Sequence, residues 1–384
     1  MKFLGIDENE LKKIGGIHTA REIQQQPDVW GKIYNQVNES AQNIKEFIDG
    51  ALSEVDDIVL SGAGTSAYVG DCLVSEFNKN LGHRTKAIPT TDIVTHPHSF
   101  FKSNRKVLLV SFARSGNSPE SCATVDLAEQ FAEKAYHLII TCNPEGSLVK
   151  SGKPHQYNIV LPEETNDVSL AMTSSFSGML LTGLLISRIT TIGNEKKNVD
   201  AVVKYARNVL DNYVTDINKI ANLDFNRAIF LGSGPLFGTS IESHLKLQEL
   251  TDGAVICKNE SFLAFRHGPK AVIDKKTIVV FILSNDSHSV KYEKDLIETI
   301  KNEGVALALI GISEGSISDL NLDLEIALSD GSTIVDEPYL TLSHIVTSQI
   351  LGVFKSINLG LKPDNPSISG TITRVVEGVN IYKK

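Results

Sequence analysis

Short apolar runs alternate with amphipathic stretches along most of the chain. Residues 58–60, 107–110, 137–141 and 157–161 are largely apolar segments of strand length, and between them apolar positions recur at three- and four-residue spacing. Runs with few polar interruptions mark strands covered on both faces, so residues 45–195 predict an α/β domain, an open parallel sheet with helices on both sides. In such sheets ligands collect at the carboxyl ends of the strands. The first 44 residues are more polar. There Trp30, Ile33, Tyr34 and Val37 fall at helical spacing, and Thr19 and Pro27 open two helical segments, expected to pack on the first domain.

The first apolar run ends in Ser61-Gly62-Ala63-Gly64-Thr65-Ser66, and a helical pattern resumes through Ala67, Val69, Leu73 and Phe77. A strand, a tight turn and a helix N-terminus follow one another. The glycines let a ligand approach the backbone, while Thr65 and Ser66 set hydroxyls beside N–H groups that have no intrahelical partner. Phosphate suits such a turn. The spacing is neither the dinucleotide fingerprint nor an ATP-binding P-loop, whose lysine is missing, so taken alone the turn is equally a close helix–strand contact. Two more segments fall at strand ends: residues 111–118, with Arg114, Ser115 and Ser118, and residues 171–177, where Thr173 precedes a helix.

The second half echoes the first. Ala228-Ile229-Phe230-Leu231-Gly232-Ser233-Gly234 matches the first glycine turn at an offset of 170 (232 − 62), and Ser284 matches Ser115 at 169 (284 − 115). Glu314-Gly315-Ser316 matches Glu145-Gly146-Ser147 at 169 again (314 − 145). Near-constant offsets imply two copies of one α/β domain, at 45–195 and 215–362, joined by a helix through Val202, Tyr205 and Val209 and followed by a tail, 363–384. The copies differ chemically. Copy one carries hydroxyls at its strand ends; copy two has Pro235, Leu236 and Phe237 after its glycines, then Glu242, His244, Lys246 and Glu249 on one helix and Arg266-His267-Gly268-Pro269 beyond it. The phosphate is therefore expected in copy one and acid–base work in copy two.

Composition narrows the partners. The 384 residues are 41% hydrophobic and 22% charged, ordinary for a globular protein. A formal charge of -9 argues against a nucleic-acid surface, which needs clustered Lys and Arg. No apolar stretch approaches the ~20 residues of a bilayer span, and the N-terminus has no signal-peptide pattern, so a cytoplasmic protein without a membrane partner is expected. Four scattered cysteines lack metal-type spacing and read as reduced core residues. No three-ligand constellation stands out, and neither a metal nor a cofactor is expected.

Together these motifs resemble two tandem sugar isomerase (SIS) domains, a resemblance covering nearly the whole chain. Nearest in pattern is the group of tagatose-6-phosphate ketose/aldose isomerases, also described as galactosamine-6-phosphate deaminases; the isomerase half of glucosamine-6-phosphate synthase is related. The synthase's phosphate loop resembles Gly64-Thr65-Ser66, its second hydroxyl loop resembles Arg114-Ser115-Gly116-Asn117-Ser118, its Lys-x-x-Glu pair matches Lys246 and Glu249, and its His-Gly-Pro matches His267-Gly268-Pro269. The resemblance implies phosphate binding by Thr65, Ser66, Ser115 and Ser118, further substrate contacts from Gly64, Arg114, Thr173 and Arg374, and a tail that reaches the active site. It also implies a homodimer whose sites are shared, with His267 entering from the neighbouring subunit. Departures exist. Ala113 stands where the synthase has a serine, Arg374 stands near the place of its tail lysine, and 18 residues separate Glu249 from His267 (267 − 249), a slightly longer interval. No glutaminase region with an N-terminal cysteine nucleophile is expected in the short stretch before residue 45. Release of ammonia from an amino sugar phosphate therefore fits better than amination.

Moving a proton between C2 and C1 of a sugar phosphate needs one base that reaches both carbons, and a carboxylate does this without a metal. Glu249 is the candidate, with Lys246 three residues earlier on the same helix face to hold it ionised. Without the resemblance the pair reads more readily as a solvated ion pair. His267 suits ring opening, since imidazole titrates near neutrality. The expected activity is conversion of D-galactosamine 6-phosphate to D-tagatose 6-phosphate and ammonia. A ketose/aldose isomerase without deamination and a non-catalytic sugar-phosphate sensor are the alternatives.

Overall fold

Ten parallel strands in two sheets carry the chain. In the first sheet they are β1 (Asp57–Ser61), β2 (Arg84–Ala87), β3 (Lys106–Ala113), β4 (Lys134–Thr141) and β5 (Gln156–Val160), in the order β2-β1-β3-β4-β5. The second holds β6 (Arg227–Leu231), β7 (Ile256–Glu260), β8 (Thr277–Ile282), β9 (Ala308–Ser313) and β10 (Leu324–Ala327), in the order β7-β6-β8-β9-β10. Both orders read second-first-third-fourth-fifth, the doubly wound arrangement of the sequence-based expectation. This computed structural model describes every residue except Glu377, Lys383 and Lys384.

The central strands β3, β4, β8 and β9 are buried along almost their whole length because helices cover both faces. Each fully buried Val, Leu, Ile or Phe there contributes about 1.5–3 kcal/mol relative to exposure. The sequence reading named no strand at β2, β7, β9 or β10. The sequences of β2 and β7, Arg-Thr-Lys-Ala and Ile-Cys-Lys-Asn-Glu, belong to half-solvated edges and carry no apolar run.

The main helices are α1 (Thr65–Leu81), α2 (Pro119–Phe131), α3 (Ser174–Ser187), α4 (Lys196–Asn212), α5 (Pro235–Leu250) and α6 (Glu337–Asn358). Every residue of α3 is buried, which its apolar circumference requires. Gly183 lets it lie close to α1, since a Cβ there would stand 2.4 Å from Leu73 Cδ1. Among the described residues no helix is long and apolar enough to cross a membrane.

The chain divides into two compact units. The first gathers Asp28–Asp167, Ser174–Lys197 and the residues from Ile372 on, around the first sheet. The second gathers Met1–Pro27, Val168–Thr173 and Asn198–Thr371. The N-terminal segment was expected to pack on the first domain; its part from Asp28 onward falls in the first unit and Met1–Pro27 in the second. In the first unit Trp30 Nε1 donates to Ser177 Oγ at 3.0 Å. In the second, the Thr19 N–H and hydroxyl each donate to Asp364 Oδ1 at 2.8 Å, fastening Ile17–Gln24 instead to the segment after α6.

Candidate active site

In the first unit, β1 and β3 pair with Ser61 opposite Ser111, so the turns after both strands leave the sheet side by side. This is the switch point where strand order reverses, the place open α/β sheets reserve for ligands. The first turn admits only glycine at position 62, because a Cβ there would stand 2.4 Å from the Ser66 carbonyl carbon. Gly64 follows at φ 55° and begins α1, whose N-terminus receives no side-chain cap hydrogen bond. Thr65 and Ser66 are buried in its first turn.

The second turn is held from behind. Asn143 Nδ2 donates to the Ser115 carbonyl at 2.8 Å, and Asn117 Oδ1 accepts from the Ser147 N–H and hydroxyl, each at 2.9 Å. Ser115 Oγ accepts from Asn117 N at 3.2 Å, and Ser118 stands at the start of α2, again without a side-chain cap hydrogen bond. Two uncapped helix N-termini and four hydroxyls thus border one switch point, an arrangement that favours an anion. The N-terminus of α3 is different. The buried Asp167 carboxylate accepts from Ser174 N at 3.1 Å, Ser175 N at 2.9 Å and the Ser175 hydroxyl, so this helix already has its anion. Thr173, buried, directly precedes it.

Arg114 is buried in the second turn, and its Nη2 donates to the Arg374 carbonyl oxygen. The Arg374 guanidinium donates through Nε to Asp167 O at 2.8 Å and through Nη2 to Asp167 O at 2.5 Å and Asn166 Oδ1 at 2.9 Å. Sequence reasoning had not singled out Asn166 or Asp167. Polar residues in a loop carry no periodic signal that would mark them.

In the second unit α5 opens on the matching glycine turn, where a Cβ at Gly232 would stand 2.3 Å from Leu236 O. One face of this helix carries Glu242, Lys246 and Glu249. Lys246 Nζ lies 2.6 Å from Glu249 Oε2 and 3.3 Å from Glu242 Oε1, and the side-chain exposures are 0% for Lys246 and Glu242 and 25% for Glu249. This is not a solvated pair. Burial works to lower the Lys246 pKa, but attraction to Glu242 and Glu249 outweighs it and raises the value, keeping the ammonium charged. Glu242 had been noted on this helix without a role; its i, i+4 spacing to Lys246 was the available signal.

His267 is exposed, on the turn after the short helix Phe262–Phe265, with Gly268 at φ 112°. Among the described residues no hydrogen bond or ion pair joins it to Glu249. His244 is half-buried, and burial lowers its pKa. None of the four cysteines, all among the described residues, is in a disulfide, and Cys72 and Cys142 are buried; burial pushes the Cys142 thiol up to about 12.

A doubly wound sheet with hydroxyl-rich turns at its switch point defines the class: residues 51–187 match the SIS domain family. The chain is 40% identical, over 97% of its own length and 94% of the relative's, to the D-galactosamine-6-phosphate deaminase AgaS of a Shewanella species. The solved tagatose-6-phosphate ketose/aldose isomerase of Escherichia coli superposes with a TM-score of 0.87 at 31% identity, over 96% of this chain and 97% of that one. A Clostridium novyi NT structure, provisionally named a tagatose-6-phosphate ketose/aldose isomerase, gives 0.97 at 38% identity over 100% of both chains. The protein belongs to the D-galactosamine-6-phosphate deaminase AgaS family.

Proposed function

We propose that the protein converts D-galactosamine 6-phosphate and water to D-tagatose 6-phosphate and ammonia. The observation that carries this reading is the fully buried Lys246, clamped between Glu242 and a Glu249 that alone of the three retains solvent exposure. A solvated ion pair would not be built this way, whereas a base poised to meet a substrate would. The homology to a D-galactosamine-6-phosphate deaminase supports the choice of sugar.

The roles follow from chemistry. Thr65, Ser66, Ser115 and Ser118 hold the phosphate, with Gly64, Arg114 and Thr173 as further substrate contacts. His267 shuttles a proton from the C1 hydroxyl to the ring oxygen and opens the ring. Glu249 removes the C2 proton to give an enolamine and returns it to C1, leaving a ketimine at C2. Water adds to that carbon and the C–N bond breaks, which makes the overall change a hydrolysis. In this reading the protein is a homodimer in which exposed His267 serves the neighbouring subunit. It works in the cytoplasm, because a charged phosphate ester does not cross a lipid bilayer unaided.

The test is ammonia release coupled to ketose-phosphate detection, with galactosamine 6-phosphate and glucosamine 6-phosphate offered separately. Release from the galacto epimer alone is expected. Interconversion of tagatose and galactose 6-phosphates without ammonia would replace deamination by plain isomerisation, and silence in both assays would overturn the enzyme reading.

A further inference from the structure

We infer that Arg374 is a positioning residue for the phosphate unit, acting through Arg114 rather than by touching the substrate. The inference rests on the reading of Arg114 as a substrate contact. Four residues of the first unit carry it. The Arg374 guanidinium uses Nε and Nη2 on the Asp167 carbonyl and Asn166 Oδ1, which faces the fork toward the loop before α3. The peptide of Arg374 is thereby fixed. Its carbonyl oxygen is the acceptor for Arg114 Nη2.

The direction of these bonds decides the roles. A residue that gripped phosphate would aim its guanidinium at the ligand, because planar fork-to-oxyanion pairing is the strong mode for arginine. Here the fork of Arg374 goes to neutral acceptors and its carbonyl reaches the other arginine. Asp167 is the junction: its carboxylate holds the α3 N-terminus through Ser174 and Ser175, and its carbonyl holds Arg374. Tail, helix start and phosphate turn are joined in one chain of hydrogen bonds within a single unit. Lysine at 374 would supply one compact cation and could not span both acceptors in a plane.

The experiment is a double-mutant cycle on Arg114→Ala and Arg374→Ala, read as the dissociation constant of inorganic phosphate by calorimetry and as KM for galactosamine 6-phosphate. R114A is expected to weaken both by roughly tenfold or more, as for loss of a charged hydrogen bond. R374A is expected to weaken them by roughly threefold or more, with kcat within about twofold, and the double variant is expected to be no worse than R114A alone. R374K is expected to behave as R374A. Should R374A not fold, Asn166→Ala removes one acceptor and is expected to show a smaller loss with the same dependence on Arg114. Effects that multiply would mean that Arg374 meets the ligand itself. That result, an R374A variant with unaltered affinity, or full recovery by R374K would each overturn the inference. Phosphate binding is measured without turnover, so a protein that releases no ammonia yet shows the coupling refutes the deaminase reading alone.

Discussion

Replacing Lys246 with methionine keeps much of the side-chain volume and removes the charge between Glu242 and Glu249. At 3.3 Å, and with an effective dielectric near 20, the attraction to Glu242 is about 5 kcal/mol before desolvation is subtracted. Removing one partner of a buried pair costs about 3–5 kcal/mol, because the remaining charge is stranded. Glu242, at 0% exposure, then loses the ammonium 3.3 Å away. Glu249 is part-exposed, so it keeps its solvent but loses the ammonium 2.6 Å away that orients it. Two results are expected from Lys246→Met. Urea unfolding gives a stability loss of about 3–5 kcal/mol, and kcat for ammonia release falls. Adding Glu242→Gln removes the buried carboxylate and is expected to return most of the stability while kcat stays low. A K246M protein with normal stability and unchanged kcat would refute the argument that the buried ammonium orients the base.

Glu249→Gln is expected to lower kcat by about 10² to 10⁴ while inorganic phosphate still binds, read by steady-state kinetics and calorimetry; full turnover would remove Glu249 from the mechanism. Gly62→Ala drives a methyl into the Ser66 backbone, with a contact of 2.4 Å, so a loss of more than about 1 kcal/mol in denaturant unfolding and a raised KM are expected. A third test concerns Glu293. Burial, with the Glu337 and Asp286 charges adding to it, raises its pKa to about 8 against an opposing hydrogen bond from Ser284 N. The folded state thus holds a proton that the unfolded chain loses above its ordinary 4.5. Its stabilising contribution is full below 4.5 and is lost as pH rises through about 8, at up to about 1.4 kcal/mol per unit. His344, held near 4 by burial, slopes the opposite way below 6.5, so the comparison belongs between pH 6.5 and 8. There Glu293→Gln is expected to flatten the fall in stability; an unchanged slope would refute the assignment.

Local features were legible in the sequence. Gly62 and Gly64, followed by Thr65 and Ser66, write a strand, a turn and a helix N-terminus in adjacent positions. Lys246 and Glu249, three apart, share a helix face whatever surrounds them. Apolar runs such as 107–110 marked central strands because a strand covered on both faces must be apolar at successive positions. Edge strands β2 and β7 escaped because one side of each lies at the open edge, where polar residues are tolerated.

Tertiary structure alone decided the rest. An i, i+3 pair has the same spacing whether solvated or buried, and only tertiary packing buries Lys246; α5 lies against α6, where Gly352 leaves room for Leu250. The helical period of Ile17–Gln24 says that one face must be covered but not by which sheet, and Asp364, hundreds of positions away, supplies the answer. Arg114, Asp167 and Arg374 meet only once the chain has folded. Steric preference and periodicity act between neighbours in the chain and are written there. Burial, charge pairing and the direction of a guanidinium depend on groups far off in sequence, and these only the folded protein brings together.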